Sequence, residues 1–271
     1  MNVIFLIARD SIKDLLHQRI LIGLMLVSFA MTVLFSFMAN QTRNSISNQY
    51  DLGSAETNSP AFKNMNDQDR RKMAEQMEQG MNAIQGFFYA ATSFGGSLVA
   101  LMIFSTAVTS EIRRGTIRLT LSKPVTRLQY LLGKYFGGIV VMAAYAIIAS
   151  IAVLAFSASE HVDLGPAMRY APWLMFCRQL MLGSLAMLLS LFVHPAIGGI
   201  LAYIAGNGLY STGNPLYYLL PSYAPFNIFA ALISGEVLNG SDVAYLTLYA
   251  LDFVILMLLF ALWRFYKKEV C

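Results

Sequence analysis

The longest stretch of this sequence without Asp, Glu, Lys or Arg runs from Gln179 to Gly235 and contains 57 residues. As one straight α-helix it would be about 85 Å long, almost three times the roughly 30 Å hydrocarbon thickness of a bilayer. The stretch must therefore fold back at a membrane. Composition agrees, because 57% of the 271 residues are hydrophobic and only 13% are charged, unlike a soluble domain. We predict an all-α polytopic membrane protein.

Turn residues and charges divide the chain into six predicted transmembrane helices within a single domain, 1–271. His194 and Pro195 mark one reversal inside the uncharged stretch. Pro221 and Pro225 break the segment that follows it, which indicates a re-entrant or interfacial hairpin rather than a crossing. The predicted spans are 20–39, 84–110, 135–159, 173–193, 196–212 and 243–262, with an extracytoplasmic loop at 40–83 and the hairpin at 216–234.

The N-terminal residues, 1–19, have the pattern of an amphipathic helix. Apolar residues recur at three- and four-residue steps from Ile4 to Leu16, and charged residues such as Arg9 and Asp10 occupy the other side. Such a helix lies flat at the membrane interface. A cleaved signal peptide is the alternative, but the apolar run that follows is about 20 residues, long enough to span a bilayer.

A basic loop, 111–134, joins the second and third predicted spans. Its excess of positive charge predicts that it lies in the cytoplasm, as both termini then do. Gly115 can end the preceding helix, Thr116 can begin a short helix that Pro124 stops, and Thr126 can cap the helix that enters the next span. The basic residues of the loop are Arg113, Arg114, Arg118, Lys123, Arg127 and Lys134.

Two ionisable residues fall at membrane depth, Arg178 in the fourth predicted span and Asp252 in the sixth. A charge there is costly unless it is paired or hydrated. One interpretation is that the two residues pair across the bundle or face an aqueous cavity. The other is that Arg178 reaches the outer headgroups while Asp252 is hydrogen-bonded or protonated.

Three methionines, Met73, Met77 and Met81, follow one another at four-residue steps in a part of the outer loop with a helical pattern. They would share one helix face, and thioether ligands suit Cu(I). The alternative is that this face packs against a neighbouring helix. No other metal site is predicted, because the sequence has no HExxH motif and only three histidines.

Pairs of small residues indicate where helices approach closely. Gly133 with Gly137, and Ala202 with Gly206, are spaced four residues apart, a spacing that permits close helix packing in membranes. We assign these pairs to a dimer face.

Neither a protease nor an ATPase site is present in the sequence. Ser184 and His194 lie on one predicted span at about 15 Å of helical rise, too far apart for a hydrogen-bonded dyad. The dipeptide Gly133-Lys134 is followed by Tyr135 and lacks the upstream glycine of a phosphate-binding loop. ATP chemistry therefore has to come from a partner.

The basic loop and the N-terminus together carry a family resemblance. The loop resembles the cytoplasmic loop of ABC transporter permeases of the type-2 exporter family, and the N-terminal segment resembles the interfacial helix of that family. The residues concerned are Glu111, Gly115-Thr116, Leu121-Ser122-Lys123-Pro124-Val125, Arg127, Tyr130-Leu131 and Gly133-Lys134 in the loop, with Ile7-Ala8-Arg9-Asp10 and His17-Gln18-Arg19 at the N-terminus.

The resemblance implies a half-transporter. Two such chains, identical or similar, would pair with two ABC ATPase subunits, which would bind ATP and Mg; the chain itself would hold no cofactor and bind no nucleic acid. The loop would be the coupling helix, and the bacterial inner membrane would be the location. An ABC-type scaffold that drives a partner protein is the alternative. The implied coupling residues are Arg9, Asp10, Glu111, Gly115, Thr116, Ile117, Arg118, Pro124, Arg127 and Lys134.

Overall fold

The computed structural model describes residues 3–17, 67–115, 125–160, 166–207, 223–228 and 238–267, together with the single positions 23, 30 and 41. These ranges contain seven α-helices, two 3₁₀ turns and no strand. The helices are α1 (Val3–His17), α2 (Asp67–Thr106), α3 (Thr109–Arg114), α4 (Arg127–Glu160), α5 (Ala171–Ser190), α6 (Pro195–Asn207) and α7 (Gly240–Lys267).

Four of these helices are long and apolar enough to cross a membrane: α2 over Tyr89–Thr106, α4 over Arg127–Ile151, and the whole of α5 and α7. The shorter α6 is also apolar over Pro195–Gly206. The chain is therefore a polytopic helical membrane protein. The predicted first span and most of the predicted hairpin lie outside the described residues, so the total of six spans stays a prediction.

Helix α2 runs without a break from Asp67 to Thr106, a length of 40 residues or about 60 Å. It covers the helical part of the predicted outer loop and the second predicted span as far as Thr106. The predicted end of that span at residue 110 is corrected, because a turn at 107–108 separates α2 from α3. Met73, Met77 and Met81 belong to this helix. Their side chains are not among the described parts of the structure, so the Cu(I) site stays a prediction. No cluster of three His, Cys, Asp or Glu that could hold a metal occurs among the described residues.

The centre of the bundle is α5. It packs against α2, α4, α6 and α7, and 14 of its 20 residues are buried, compared with five of the 28 residues of α7. A helix that is apolar on all sides can be enclosed in this way. The ring of Phe104 from α2 occupies notches left by Gly138 of α4 and Gly183 of α5, where an added Cβ would collide with it. Because Gly138 and Gly183 have no side chains, α2, α4 and α5 can pack closely together.

The N-terminal helix α1 lies against α4. A Cβ at Gly133 would fall 2.7 Å from the Ile7 Cβ, and one at Gly137 would fall 2.8 Å from the Ser11 Cβ. The absence of a side chain at both glycines therefore allows α1 of the same chain to pack closely against α4. Phe5, which the sequence placed on the apolar side of this helix, is 78% exposed.

The predicted assignment of the small-residue pairs to a dimer face is wrong. Gly133 and Gly137 accept α1, as described above. In the second pair, Ala202 is fully buried, and a Cβ at Gly206 would collide with the ring of Tyr223. Other residues do pack closely against both pairs, but these residues belong to the same chain and not to a second copy.

Local sequence signals set the ends of two helices. Gly115 follows α3 with a φ of 71°, in the left-handed region that glycine adopts without steric cost. At the start of α4 the backbone N–H of Gln129 donates to Thr126 Oγ1 at 3.2 Å, and the backbone N–H of Thr126 donates to Gln129 Oε1 at 3.1 Å. This reciprocal pair is a capping box, and it confirms the predicted cap at Thr126.

Candidate functional site at one end of the bundle

The ends of several helices meet at one end of the bundle. Helix α3 and the start of α4 lie there, separated in sequence by 116–124, and contacts described below add the C-terminal end of α7 and the turn between α5 and α6. The described residues on both sides of 116–124 therefore lie at this end.

The centre of this region is the side chain of Lys134, a residue only 6% exposed. Its Nζ forms an ion pair with Glu111 Oε1 and lies 3.7 Å from Asp14 Oδ2. The Tyr130 hydroxyl donates to the second Glu111 oxygen at 2.8 Å. We call Asp14, Glu111, Tyr130 and Lys134 the Lys134 node. It joins α1, α3 and α4 through one ammonium group.

Burial determines what the Lys134 node can do. Lys134 and Glu111 expose only 7% and 19% of their side chains, so each charge depends on the other in place of water. Pairs of this kind add little net stability, but loss of one partner leaves a buried charge, which costs about 3–5 kcal/mol. The node therefore holds the three helices in one arrangement.

A cavity of about 310 Å³ opens beside the node. The acidic and basic side chains around it belong to α1, α3 and α4, so a ligand or protein side chain entering it would meet all three helices. Its lining residues are Ile7, Asp10, Lys13, Asp14, Glu111, Tyr130 and Lys134.

Arg127, the first residue of α4, contacts the end of α7. Its Nη1 donates to the backbone oxygens of Phe265 at 2.9 Å and Tyr266 at 3.0 Å, and its guanidinium carbon lies 5.6 Å and 5.5 Å from the centres of their rings. The last carbonyls of a helix have no partner within that helix and favour a cation. Arg127 thus ties the start of α4 to the C-terminal end of α7.

Arg113 makes a contact that the sequence did not reveal. Its Nη1 lies 2.8 Å from Nε2 of His194, in the turn between α5 and α6. A second cavity of about 300 Å³ lies between these elements and includes Thr109 and Ser190 in its lining. The sequence indicated only a topology signal at Arg113 and a chain reversal at His194, because no local pattern links two residues so distant in the chain.

The predicted coupling residues fall into three groups. Glu111 and Lys134 meet in the Lys134 node, and Arg127 lies at the same end of the bundle. Gly115 ends α3, while Arg9 and Asp10 are exposed on α1. The remaining four, Thr116, Ile117, Arg118 and Pro124, lie outside the described residues, so the coupling helix itself stays a prediction.

The two residues predicted at membrane depth have different surroundings. Arg178 is 8% exposed, and its Nη1 donates to Ser93 Oγ of α2 at 2.8 Å. Asp252 is exposed on α7. No hydrogen bond or ion pair joins the two within the described part of the chain, and their pairing stays a prediction.

Gln179, next to Arg178 on α5, is fully buried, and a Cβ at Gly96 of α2 would collide with its amide nitrogen. Among the described residues neither its amide nitrogen nor its amide oxygen has a hydrogen-bond partner. No pattern in the sequence indicated this buried amide.

A protein-family model described as ABC-2 family transporter protein matches residues 5–270. The chain belongs to the ABC-2 transporter family. The match reaches from α1 to beyond α7, so the resemblance indicated by the loop and the N-terminus is confirmed over nearly the whole chain. A comparison of this ABC-2 chain with curated proteins gives no match.

Family membership defines the general role of the molecule. The ABC-2 chain is an integral membrane protein and the permease component of an ABC transporter. Permeases of this family have no ATPase site of their own, and the family implies association with an ABC ATPase. The Lys134 node of this ABC-2 permease is therefore a candidate for the place where the ATPase acts.

Proposed function

We propose that this permease couples ATP hydrolysis on a separate ATPase subunit to the export of a substrate. The observation that carries the proposal is the Lys134 node, which joins α1 to α3 and α4, the two helices that flank 116–124 in the chain. A protein that pushed on that segment would act on three connected helices at once.

The coupling would be mechanical. The segment 116–124 is attached to α3 on one side and to α4 on the other, and the ion pair between Glu111 and Lys134 joins these two helices directly. Movement of the segment would therefore tilt α3 and α4 as one body. Helix α4 would carry the motion into the membrane, and α1 would follow it through its contact with Gly133 and Gly137.

We further propose the assembly and its orientation. Two ATPase subunits and a second permease chain, identical or similar, would complete the transporter, with the Lys134 node and both termini in the cytoplasm of a bacterium. The support is the distribution of charge, since six basic residues and one acid lie in 111–134 and basic loops stay inside.

A second function, the driving of a partner protein without solute movement, is favoured by one observation. Helix α2 continues for 22 residues before Tyr89, where its membrane-crossing part begins. This extension is about 33 Å long, and in the proposed orientation it projects from the outer face of the membrane. A scaffold would use such an extension to reach an external partner.

The test reconstitutes the full chain with its ATPase subunits in lipid nanodiscs. A dye is attached at Gly80→Cys on the extension of α2, with Cys271 replaced by Ser, and its fluorescence is followed as ATP is added. We expect an ATP-dependent change that Pro124→Ala and Thr116→Ala abolish while ATP hydrolysis continues.

Arg169→Gln is the matched control, because Arg169 is an exposed cation in the connection between α4 and α5, away from the proposed lever. It should leave the ATP-dependent signal intact. A normal signal in both loop variants would refute the coupling proposal. To separate the two functions, candidate solutes are added to the wild-type complex: stimulated ATP hydrolysis supports export, whereas stimulation only by an external protein supports the scaffold.

A further inference from the structure

Helix α7 presents a long apolar surface away from the other helices that the structure describes. Its buried residues, such as Val243, Ala250 and Met257, form a stripe on one side. The opposite side carries exposed residues at steps of three and four, which lie on one helix face. We call this surface the Asp252 face. Its residues are Tyr245, Leu248, Asp252, Ile255, Leu259 and Trp263.

Asp252 lies at the centre of this face. At 100° per residue it is directed almost opposite to the buried stripe, so its carboxyl group is directed away from the core of its own chain. It is exposed and has no hydrogen bond or ion pair with any part of the chain that the structure describes. Arg178, the other ionisable residue predicted at membrane depth, is buried and donates to Ser93 of α2.

Asp252 also lies near the middle of the membrane. Aromatic residues concentrate at the two interfaces of a bilayer, and Tyr245 and Trp263 are about 27 Å apart along α7, close to the hydrocarbon thickness. Asp252 is about 10 Å from the first and about 16 Å from the second. An ionisable group at this depth in contact with lipid is costly, and such groups face protein or water.

We propose that the Asp252 face binds a transmembrane helix of a different protein, one that presents a Lys or Arg to Asp252 near the middle of the membrane. Charge complementarity identifies the chemistry of the partner, because a cation can pair with the carboxylate and donate hydrogen bonds to it. The apolar residues on either side of Asp252 identify the partner as a membrane-spanning helix.

A second copy of this chain fits the Asp252 face less well. If two copies met through this face, a two-fold axis would place one Asp252 against the other, and like charges repel. Elsewhere in the described ranges, the exposed basic residues lie on α1 or near helix ends, and Arg178, the one at membrane depth, is buried. The described surface of a second copy therefore offers no cation at the required depth.

The test measures helix association in the bilayer. The full chain, with its ATPase subunits, is placed in phosphatidylcholine nanodiscs and labelled at Cys271. A synthetic helix of Leu and Ala with one central Arg is added, and energy transfer between the two dyes reports binding. We expect this helix to bind about tenfold more tightly than the same helix with a central Leu, and a helix with a central Glu to bind no better than the Leu helix.

Variants of the chain complete the test. Asp252→Leu should abolish the preference for the Arg helix. Asp252→Arg should instead bind the Glu helix more tightly than the Leu helix, and this binding would show that a variant at position 252 folds. Asp242→Asn, a change at the exposed start of α7, should leave the preference unchanged. Equal binding of the Arg and Leu helices to the wild-type chain would overturn the proposal.

Other occupants of the face are tested by cysteine cross-linking in native membranes. A disulfide between two chains that carry Leu248→Cys or Leu259→Cys would show that a second copy covers the face. A cross-link from either position to a cysteine placed in the predicted first span, 20–39, would show that the chain covers the face itself. Either result would overturn the proposal.

Discussion

Lys134 of α4 and Glu111 of α3 form a buried ion pair between the two helices that flank the segment 116–124. Because the pair joins these helices directly, their relative position does not depend only on the nine residues 116–124. The Tyr130 hydroxyl, which donates to Glu111 at 2.8 Å, fixes the orientation of the carboxylate. We expect this contact to be the mechanical centre of the permease.

The ion pair can be tested by removing its members one at a time. Glu111→Gln or Lys134→Met alone should lower the free energy of unfolding by about 3 kcal/mol, because each leaves a buried charge without its closest partner. The double variant should recover most of that loss, because the only charge of the node that then remains is that of the exposed Asp14. Thermal unfolding in detergent measures the stabilities. Additive losses in the double variant would show that the two side chains do not interact.

The glycines that face α1 give a second prediction. Gly137→Ala should displace α1, because its Cβ would fall 2.8 Å from the Ser11 Cβ, and amides of residues 3–17 should then exchange their hydrogens faster. The matched control is Gly80→Ala in α2, where nothing lies within 4 Å of the added Cβ. That change should stabilise the helix by up to about 1 kcal/mol. Unchanged exchange in Gly137→Ala would contradict the packing of α1 on α4.

The buried amide of Gln179 gives a third prediction, in the opposite direction. Gln179→Leu should raise the free energy of unfolding by about 1–2 kcal/mol, since it removes a buried polar group that makes no hydrogen bond in the described part of the chain. Gly96→Ala should lower the stability, because the added Cβ collides with the same side chain. Thermal unfolding measures both, and a loss of stability in Gln179→Leu would indicate that the amide has a structural partner.

The contact between Arg127 and the end of α7 gives the fourth prediction. Arg127→Gln should cost about 1 kcal/mol and increase hydrogen exchange near residues 265–267, because the carbonyls of Phe265 and Tyr266 lose their donor. Arg127→Lys keeps the charge but loses the planar guanidinium that contacts the rings of Phe265 and Tyr266, so its exchange rates should lie between those of Arg127→Gln and wild type. Equal rates in all three proteins would contradict the contact between Arg127 and the end of α7.

Local features of the fold were predictable from the sequence, because neighbouring residues determine them. Gly115 ends α3 since glycine adopts its left-handed conformation freely. Thr126 and Gln129 are three residues apart, which is the spacing of a capping box. The charge and length of 111–134 likewise indicated a loop between two membrane helices, and its motifs indicated the family.

Contacts between residues distant in the sequence could not be predicted, because local patterns do not identify the partner of a packed surface. The spacing of Gly133 and Gly137 shows that some helix approaches closely, but not which one, and the partner is α1 rather than another chain. Hydropathy also fails to separate the enclosed α5 from the peripheral α7, because lipid and protein interior are both apolar environments. The contact of Arg113 with His194 leaves no trace in the local pattern.

The unbroken length of α2 has a mechanical consequence. The 22 residues before Tyr89 and the membrane-crossing part belong to one rod, so any tilt of the crossing part is magnified at its far end. Over about 33 Å, a tilt of 10° would sweep the tip near Asp67 through about 6 Å. A small adjustment inside the bilayer would thus become a stroke large enough to open or close a protein contact well outside it.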